Sequence, residues 1–541
     1  MDSTVTKGDN VNDLTLSLAS KALVTNYISY FQKKTRKNGH FEISKSISLV
    51  AVFYEKIRNM LELHEDHLLR RNATKRILIR RLSLNPKGEN EAENIIRELA
   101  WSRYLQPSDI SSSTSQKTQK VIDSYQVFKI LLAKNSSKSD RGYIQMFISD
   151  LEATEIDETI SDSYSQIENN KLYFFYHTLK EKIILKNLDG EIKDTFFYVA
   201  CEQAYSKNDL ATIRAHLFFL KWGNIQSQNA LDLETISKKF LNEAKQIDLT
   251  ISSNHSLLLY RFARRHTAPY KILTELIESN PTNFQHILTN KELLVEKINE
   301  LCELKYASIH EKIKATAFRS IVYIFLTKMI FVLLLEFPLT KIIYDQIDYF
   351  PIFINTIFPP VLMGAIVLLI ATPNADNTKL IQSRIVDILD IDKTFETTPT
   401  LIKDNLIKKN NFRNLFFIIC YLFLFSFTFS FLYLLLNKIG FNFISKSIFL
   451  FFLCVVTFFS FRLRQSAREY TLVKDDHPIG HFIDLFFLPI LSIGKILSNQ
   501  LSKINIIILF FDLIVEVPFK FVIEMIDDWL KFVKARKDEI I

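Results

Sequence analysis

Glycine is scarce in this chain: 10 residues in 541, against 46 phenylalanines. That scarcity argues against Gly-rich phosphate loops, tight βαβ turns and low-complexity arrays, which need a backbone free to take positive φ. Cysteine is also rare. Cys201, Cys302, Cys420 and Cys454 lie far apart and form no CxxC pair. This excludes a disulfide framework and a zinc ribbon, and fits a reducing compartment for the soluble part. No GxxxxGKS, GxxxxGKT, GxGxxG, GxSxG or HExxH string occurs, so no reaction is expected from motifs. Residues 1–14 are polar, with Asp2, Asp9 and Asp13 and no apolar run behind a basic start. No signal peptide is expected there.

Apolar residues make up 48% of the chain, and they gather at one end. Through residue 318 no run reaches membrane length. Four segments then do: 319–340, 350–371, 415–436 and 443–461. Each holds about the 20 residues that a bilayer requires. Lys328 and Glu336 interrupt the first, and Pro359–Pro360 stand in the middle of the second. The third carries no charge. Lys446 lies near one end of the fourth, where its ammonium can snorkel.

Basic residues cluster before the first segment, between the second and third, and after the fourth. The other two connections hold few. The positive-inside rule then puts both termini in the cytoplasm and makes residues 1–318 a cytoplasmic domain. Two tail segments are harder to place. Residues 482–497 are short and hold Asp484, Pro489 and Lys495; residues 504–525 carry Asp512, Glu516, Lys520 and Glu524 at four-residue steps. They read as interfacial or re-entrant helices, with a fifth and sixth span as the alternative.

Upstream of the membrane part, apolar residues recur at three and four positions in 14–31, 43–63, 171–185, 194–205, 210–220, 270–278 and 293–304. Strict alternation is nearly absent, so the fold expected is all-α. Linkers stand at 107–118 (Ser-rich), 135–141 and 188–190. The domains expected are a disordered stretch 1–11, a basic helical subdomain 12–133, a second helical subdomain 142–318, a transmembrane region 319–461 and an interfacial tail 462–541. The basic excess sits at the front: residues 1–150 carry 24 basic and 16 acidic residues. The string around Tyr205 to Asp209 is loosely like the turn of a helical hairpin.

The strings HTAPY (266–270), SIVYIFLTKM (320–329), FPP (358–360), DLFFLP (484–489) and EVPFK (516–520) resemble an uncharacterised family of bacterial multi-pass membrane proteins. The likeness covers roughly residue 255 onward. It implies a membrane location and no particular activity.

Lys328 is the strongest single signal. A charge at the centre of a span costs about 2.5–3.5 kcal/mol even on the lenient insertion scale. Pro359 and Pro360 remove two backbone donors, so carbonyls one turn earlier, near Asn355 and Thr356, lose their partners. The expectation is that Lys328 caps those carbonyls, or pairs with Asp512 or Glu516. A structural tie and a substrate or proton site both fit. Glu336, eight residues on and about 12 Å along the axis, reads as too far for a direct pair.

Arg70, Arg71, Lys75, Arg76, Arg80 and Arg81 form a basic run pointing nearly all round a helix. Internal ion pairs, lipid headgroups and nucleic acid are the readings, with nucleic acid the weakest. His477, His481 and Asp484 have metal-ligand spacing, as do Glu62, His64, Glu65 and His67 more loosely. In both places solvent-facing side chains on a helix are the plainer reading. No cofactor is expected.

Together these point to a non-catalytic membrane-anchored scaffold. Its cytoplasmic helices would bind a protein partner, with its basic helices near lipid. The alternative is a transporter or channel for an ion or small molecule, using Lys328 and the proline-broken second span.

Overall fold

The computed structural model describes residues 14–35, 52, 66–106, 110, 112–185, 190–344, 349–368, 370, 373–390, 400–401, 411–472, 478–503, 525–526, 529, 532–533 and 536. About 87% of the described residues are helical, so the all-α expectation holds. The named strands among the described residues are Ile183–Ile184 (β1) and Thr400–Leu401 (β2), paired in parallel. The chain divides into two compact units. One is built on Thr15–Thr267 with Ile388–Asp404, the other on Ala268–Asp387 with Asn405–Ile507.

The first unit runs α1 (Leu18–Thr35), α2 (Asp66–Leu84), α3 (Glu91–Trp101), α4 (Ser112–Asn135), α5 (Arg141–Ile160), α6 (Asp162–Lys180), α7 (Gly190–Cys201), α8 (Leu210–Trp222) and α9 (Ala230–Ile251). The helix α10 (Asn254–Ser279) follows and contains the division between the units. A large apolar cluster runs through the first unit. At its centre Phe240 meets Phe128, Phe147 and Phe218 edge-on, with centroids 5.6, 5.6 and 5.7 Å away. All four rings are fully buried. Burying such a side chain is worth about 1.5–3 kcal/mol, and edge-to-face pairing adds about 0.5–1.5 kcal/mol per pair. These rings come from α4, α5, α8 and α9, so the core crosses the 135–141 linker. Residues on the two sides of that linker pack as one body, where the sequence suggests subdomains 12–133 and 142–318.

The Ser-rich stretch expected as a linker to residue 118 is also different. From Ser112 it is the opening of α4, where the Thr118 hydroxyl donates to Thr114 O at 2.9 Å and is fully buried. A hydroxyl that finds a carbonyl one turn back no longer competes with the helix. Of the helix expected at 43–63, only residue 52 lies among the described residues. The turn around Tyr205 to Asp209 does join two helices. A π-turn (Glu202–Ser206) closes α7, Lys207 takes positive φ, and Asp209 caps α8 by accepting from Thr212 N at 2.9 Å.

In the second unit, α11 (Phe284–Thr289) leads into α12 (Lys291–Phe331), a π-turn (Val332–Glu336) and α13 (Phe337–Tyr344). From Lys291 to Tyr344 these form one helix of 54 residues, about 81 Å long. The sequence reading separates 293–304 from a span beginning at 319. No glycine or proline occurs between residues 291 and 337, so nothing breaks the backbone there. Then come α14 (Tyr349–Leu368), α15 (Ala375–Leu389), α16 (Asn411–Lys438), α17 (Phe443–Ala467) and α18 (Pro478–Lys503). Four helices among the described residues are long and apolar enough to cross a membrane: Lys291–Tyr344, Tyr349–Leu368, Leu415–Lys438 and Phe443–Gln465.

Residues 482–497 belong to the 26-residue α18. Its Ile490, Phe486 and Ile493 pack with Leu436, Phe449 and Leu453 in one apolar cluster. Gly494 permits the close approach: a Cβ there would lie 2.3 Å from Cys454 O and 2.7 Å from Phe458 Cβ. Lys446 turns inward, donating to Asn437 Oδ1 at 2.8 Å with the Tyr433 ring 4.1 Å away. It holds the α16–α17 turn, where the sequence suggests snorkelling. Residues 504–524 lie outside the described residues.

Candidate functional site

Lys328 and Glu336 lie at the junction of α12 and α13. Eight residues of α-helix would turn Glu336 about 80° away from Lys328. The π-turn Val332–Glu336 absorbs one extra residue, so the two stand nearly as i and i+7, within about 20° of each other. Its cause is in the sequence. Pro338 has no N–H to offer the carbonyl of Leu334, and its ring crowds that carbonyl. The i to i−4 ladder cannot continue, and the wider turn replaces it.

Both side chains are fully buried, and Lys328 Nζ lies 3.9 Å from Glu336 Oε2. The spacing argument against a direct pair is thereby corrected. Asn355, on α14, is also fully buried and donates from Nδ2 to Glu336 Oε1 at 2.7 Å and to Ser445 O at 3.4 Å. The Phe452 ring, on α17, covers the ammonium at 4.4 Å from its centroid. Three helices therefore meet at one polar centre. Thr356 stays outside it, donating to Ile352 O at 2.8 Å. Pro359 and Pro360 are buried in α14. The expected cap of freed carbonyls by Lys328 does not form: Nζ makes no hydrogen bond. Glu336 Oε2, Thr340 Oγ1 and Asn355 Oδ1 are likewise buried without one. Asp512 and Glu516 lie outside the described residues.

At 3.9 Å the pair gains about 4 kcal/mol if the effective dielectric is near 20. Desolvating each ion costs several kcal/mol. The pair is thus close to neutral in net stability, while either ion alone is strongly unfavourable.

The basic run lies on α2, in the first unit. Arg70 grips Asp157 with Nε and Nη2 at 2.7 and 2.9 Å. Arg71 donates to Asp209, Lys75 to Asp150 at 2.5 Å, and Arg80 and Arg81 to Glu98. Arg76 is half-buried beside them. Arg70, Arg71, Lys75, Arg80 and Arg81 therefore face carboxylates inside their own unit. This is the internal ion-pair arrangement, and it leaves them poorly placed to meet lipid. The carboxylates come from α3, α5 and the cap of α8, which explains why cations pointing in several directions round one helix find partners.

A second polar chain was not singled out by the sequence. His216, on α8, has Nδ1 2.6 Å from Glu202 Oε1 and Nε2 2.8 Å from Glu158 Oε1. Asn208 donates to Glu202 and sits 2.9 Å from His67 Nε2. Burial pushes the imidazole towards its neutral form, and the two carboxylates, Glu202 first, more than offset this and hold it well above 6.5. Its stabilising effect is therefore full below 6.5 and is lost as pH rises through that raised value. Trp101 and Trp222 both lie in this unit. The thermal midpoint read by tryptophan fluorescence should fall as pH climbs from 6.5, and His216→Gln should flatten the slope. A slope unchanged by His216→Gln would refute the assignment.

Among the described residues no group of three or more His, Cys, Asp or Glu is arranged to hold a metal ion. His477 and the side chains of His481 and Asp484 lie outside the described residues, as do Glu62, His64 and Glu65. No protein family, no curated protein and no solved structure matches this chain.

Proposed function

We propose that this chain is a multi-pass protein of the plasma (inner) membrane with both termini in the cytoplasm. Its helical unit Thr15–Thr267 serves as a cytoplasmic scaffold for a protein partner. The observation that carries this reading is a helical unit with its own core and internally paired charges, on the same chain as four helices apolar enough to span. The alternation of basic and charge-poor connections supports the orientation. Lys328 then acts as a tie, since Glu336 lies beside its ammonium and takes a hydrogen bond from Asn355 of α14, which joins the helices without requiring a ligand.

Photo-crosslinkers placed at exposed Leu231 and Leu249, at 77% and 70% exposure, should give a discrete adduct in intact cells. The same adduct should persist with Lys328→Met. No adduct at either site, or one that depends on Lys328, would overturn the scaffold reading.

A transporter or channel is the second reading, favoured by the buried atoms without hydrogen bonds at Lys328, Glu336, Thr340 and Asn355. Such groups mark ion and proton pathways in membranes. Flux through reconstituted vesicles that Glu336→Gln abolishes would establish it.

A further inference from the structure

The first unit contains a cavity of about 440 Å³ between α2, α4 and α5. That volume lies within the usual range of small-molecule sites. Leu78, Leu82, Leu132, Ile144 and Ile148 provide apolar wall. Glu152 lines the same space and its side chain is 1% exposed. One of its oxygens, Oε2, takes Lys129 Nζ at 2.6 Å. The other, Oε1, is buried with no hydrogen bond. A buried acceptor in that state costs about 1–3 kcal/mol, and natural cores seldom leave one so without reason.

We propose that this cavity binds a neutral amphiphile, with its apolar body against the Leu and Ile walls and a hydroxyl or amide N–H donating to Glu152 Oε1. The charge balance selects the class. Lys129 already neutralises Glu152, and exposed Arg141 also lines the cavity, so a cationic head would add to an excess of positive charge. A carboxylate head could meet Arg141, but at Glu152 Oε1 it would set two acceptors against each other and leave that oxygen without a donor. A hydroxyl satisfies Oε1 and adds no charge. None of the six basic residues on α2 lines the cavity, and the site is independent of the polar centre at Lys328.

The test uses the full chain in lipid nanodiscs with Cys420→Ser, which removes the exposed cysteine. Ala133→Cys then places a thiol at an exposed position of the cavity wall. The readout is its labelling rate with a membrane-impermeant maleimide. The probes are 1-decanol, decyl methyl ether and decanoate. Decanol should protect position 133 at a concentration about five- to tenfold below that of the ether, the ratio expected for one buried hydrogen bond. Glu152→Leu should remove that preference while the ether still protects. Ser136→Cys, on the same wall, repeats the measurement should the first variant fail to fold. Equal protection by alcohol and ether, stronger protection by decanoate, or no protection by any probe at either position would overturn the proposal.

Discussion

Lys328→Met lowers stability by about 3–5 kcal/mol, the cost of leaving the Glu336 carboxylate buried and unpaired. Glu336→Gln alone costs a similar amount by stranding the ammonium. The double variant returns to within about 1 kcal/mol of the wild type, because the pair as a whole is close to break-even against neutral groups. Gln at 336 keeps an acceptor for Asn355 Nδ2, which now lies 2.7 Å from Glu336 Oε1. The measurement is a double-mutant cycle of unfolding in detergent, and the expected coupling is well above the additivity of independent sites. Additive single effects would mean that the two charges do not sense each other, and the polar centre would lose its meaning as a tie.

Gly494→Ala disrupts the seat of α18 on α17. The new methyl group would stand 2.3 Å from a backbone oxygen, that of Cys454, and 3.1 Å from its carbonyl carbon. A flexible side chain could yield to such a contact, but backbone cannot, so the helix itself must shift. Overpacking of this kind costs about 1–3 kcal/mol, with the upper end expected here. Cys454 is now 2% exposed. In a Cys420→Ser background, Gly494→Ala should make Cys454 reactive to a membrane-permeant maleimide. A Gly494→Ala variant with wild-type stability and an unreactive Cys454 would show that the approach is looser than described.

The helical class and the second, third and fourth apolar helices were legible because they rest on local information. Composition and period suffice, and their ends fall within four residues of those expected from sequence. The first helix is longer than composition implies, because charges end the apolar run at residue 319 whereas the backbone has no reason to break before Pro338. The pairing of Lys328 with Glu336 was missed for a related reason. Counting eight residues assumes an unbroken α-helix, and the cue to abandon that assumption was the proline two positions beyond Glu336. Partners distant in the chain were not legible at all. Nothing local in Arg70 points to Asp157, and nothing in His216 points to Glu158. Phe240 likewise gives no hint of Phe128 across the linker at 135–141. Such contacts come from the packing of whole helices, and periodicity reveals only which face is apolar.

The unbroken helix from Lys291 to Tyr344 also has a mechanical consequence. A helix is stiff over this length, and Lys328 lies 37 residues from its start, about 55 Å along the axis. The Lys291 end is itself held, with Leu294, Ile298 and Cys302 buried and Val295 O taking a hydrogen bond from Gln382, so a change of tilt at the buried pair has to be taken up by that packing. A tilt of about 5° at the pair amounts to about 5 Å at the Lys291 end, simply from the length of the helix. The π-turn beside the pair is the place where such a tilt costs least, since its hydrogen bonds are already off the α-helical ladder. The geometry alone thus couples the buried pair to the packing of α12 against α15, about 55 Å away at its limit.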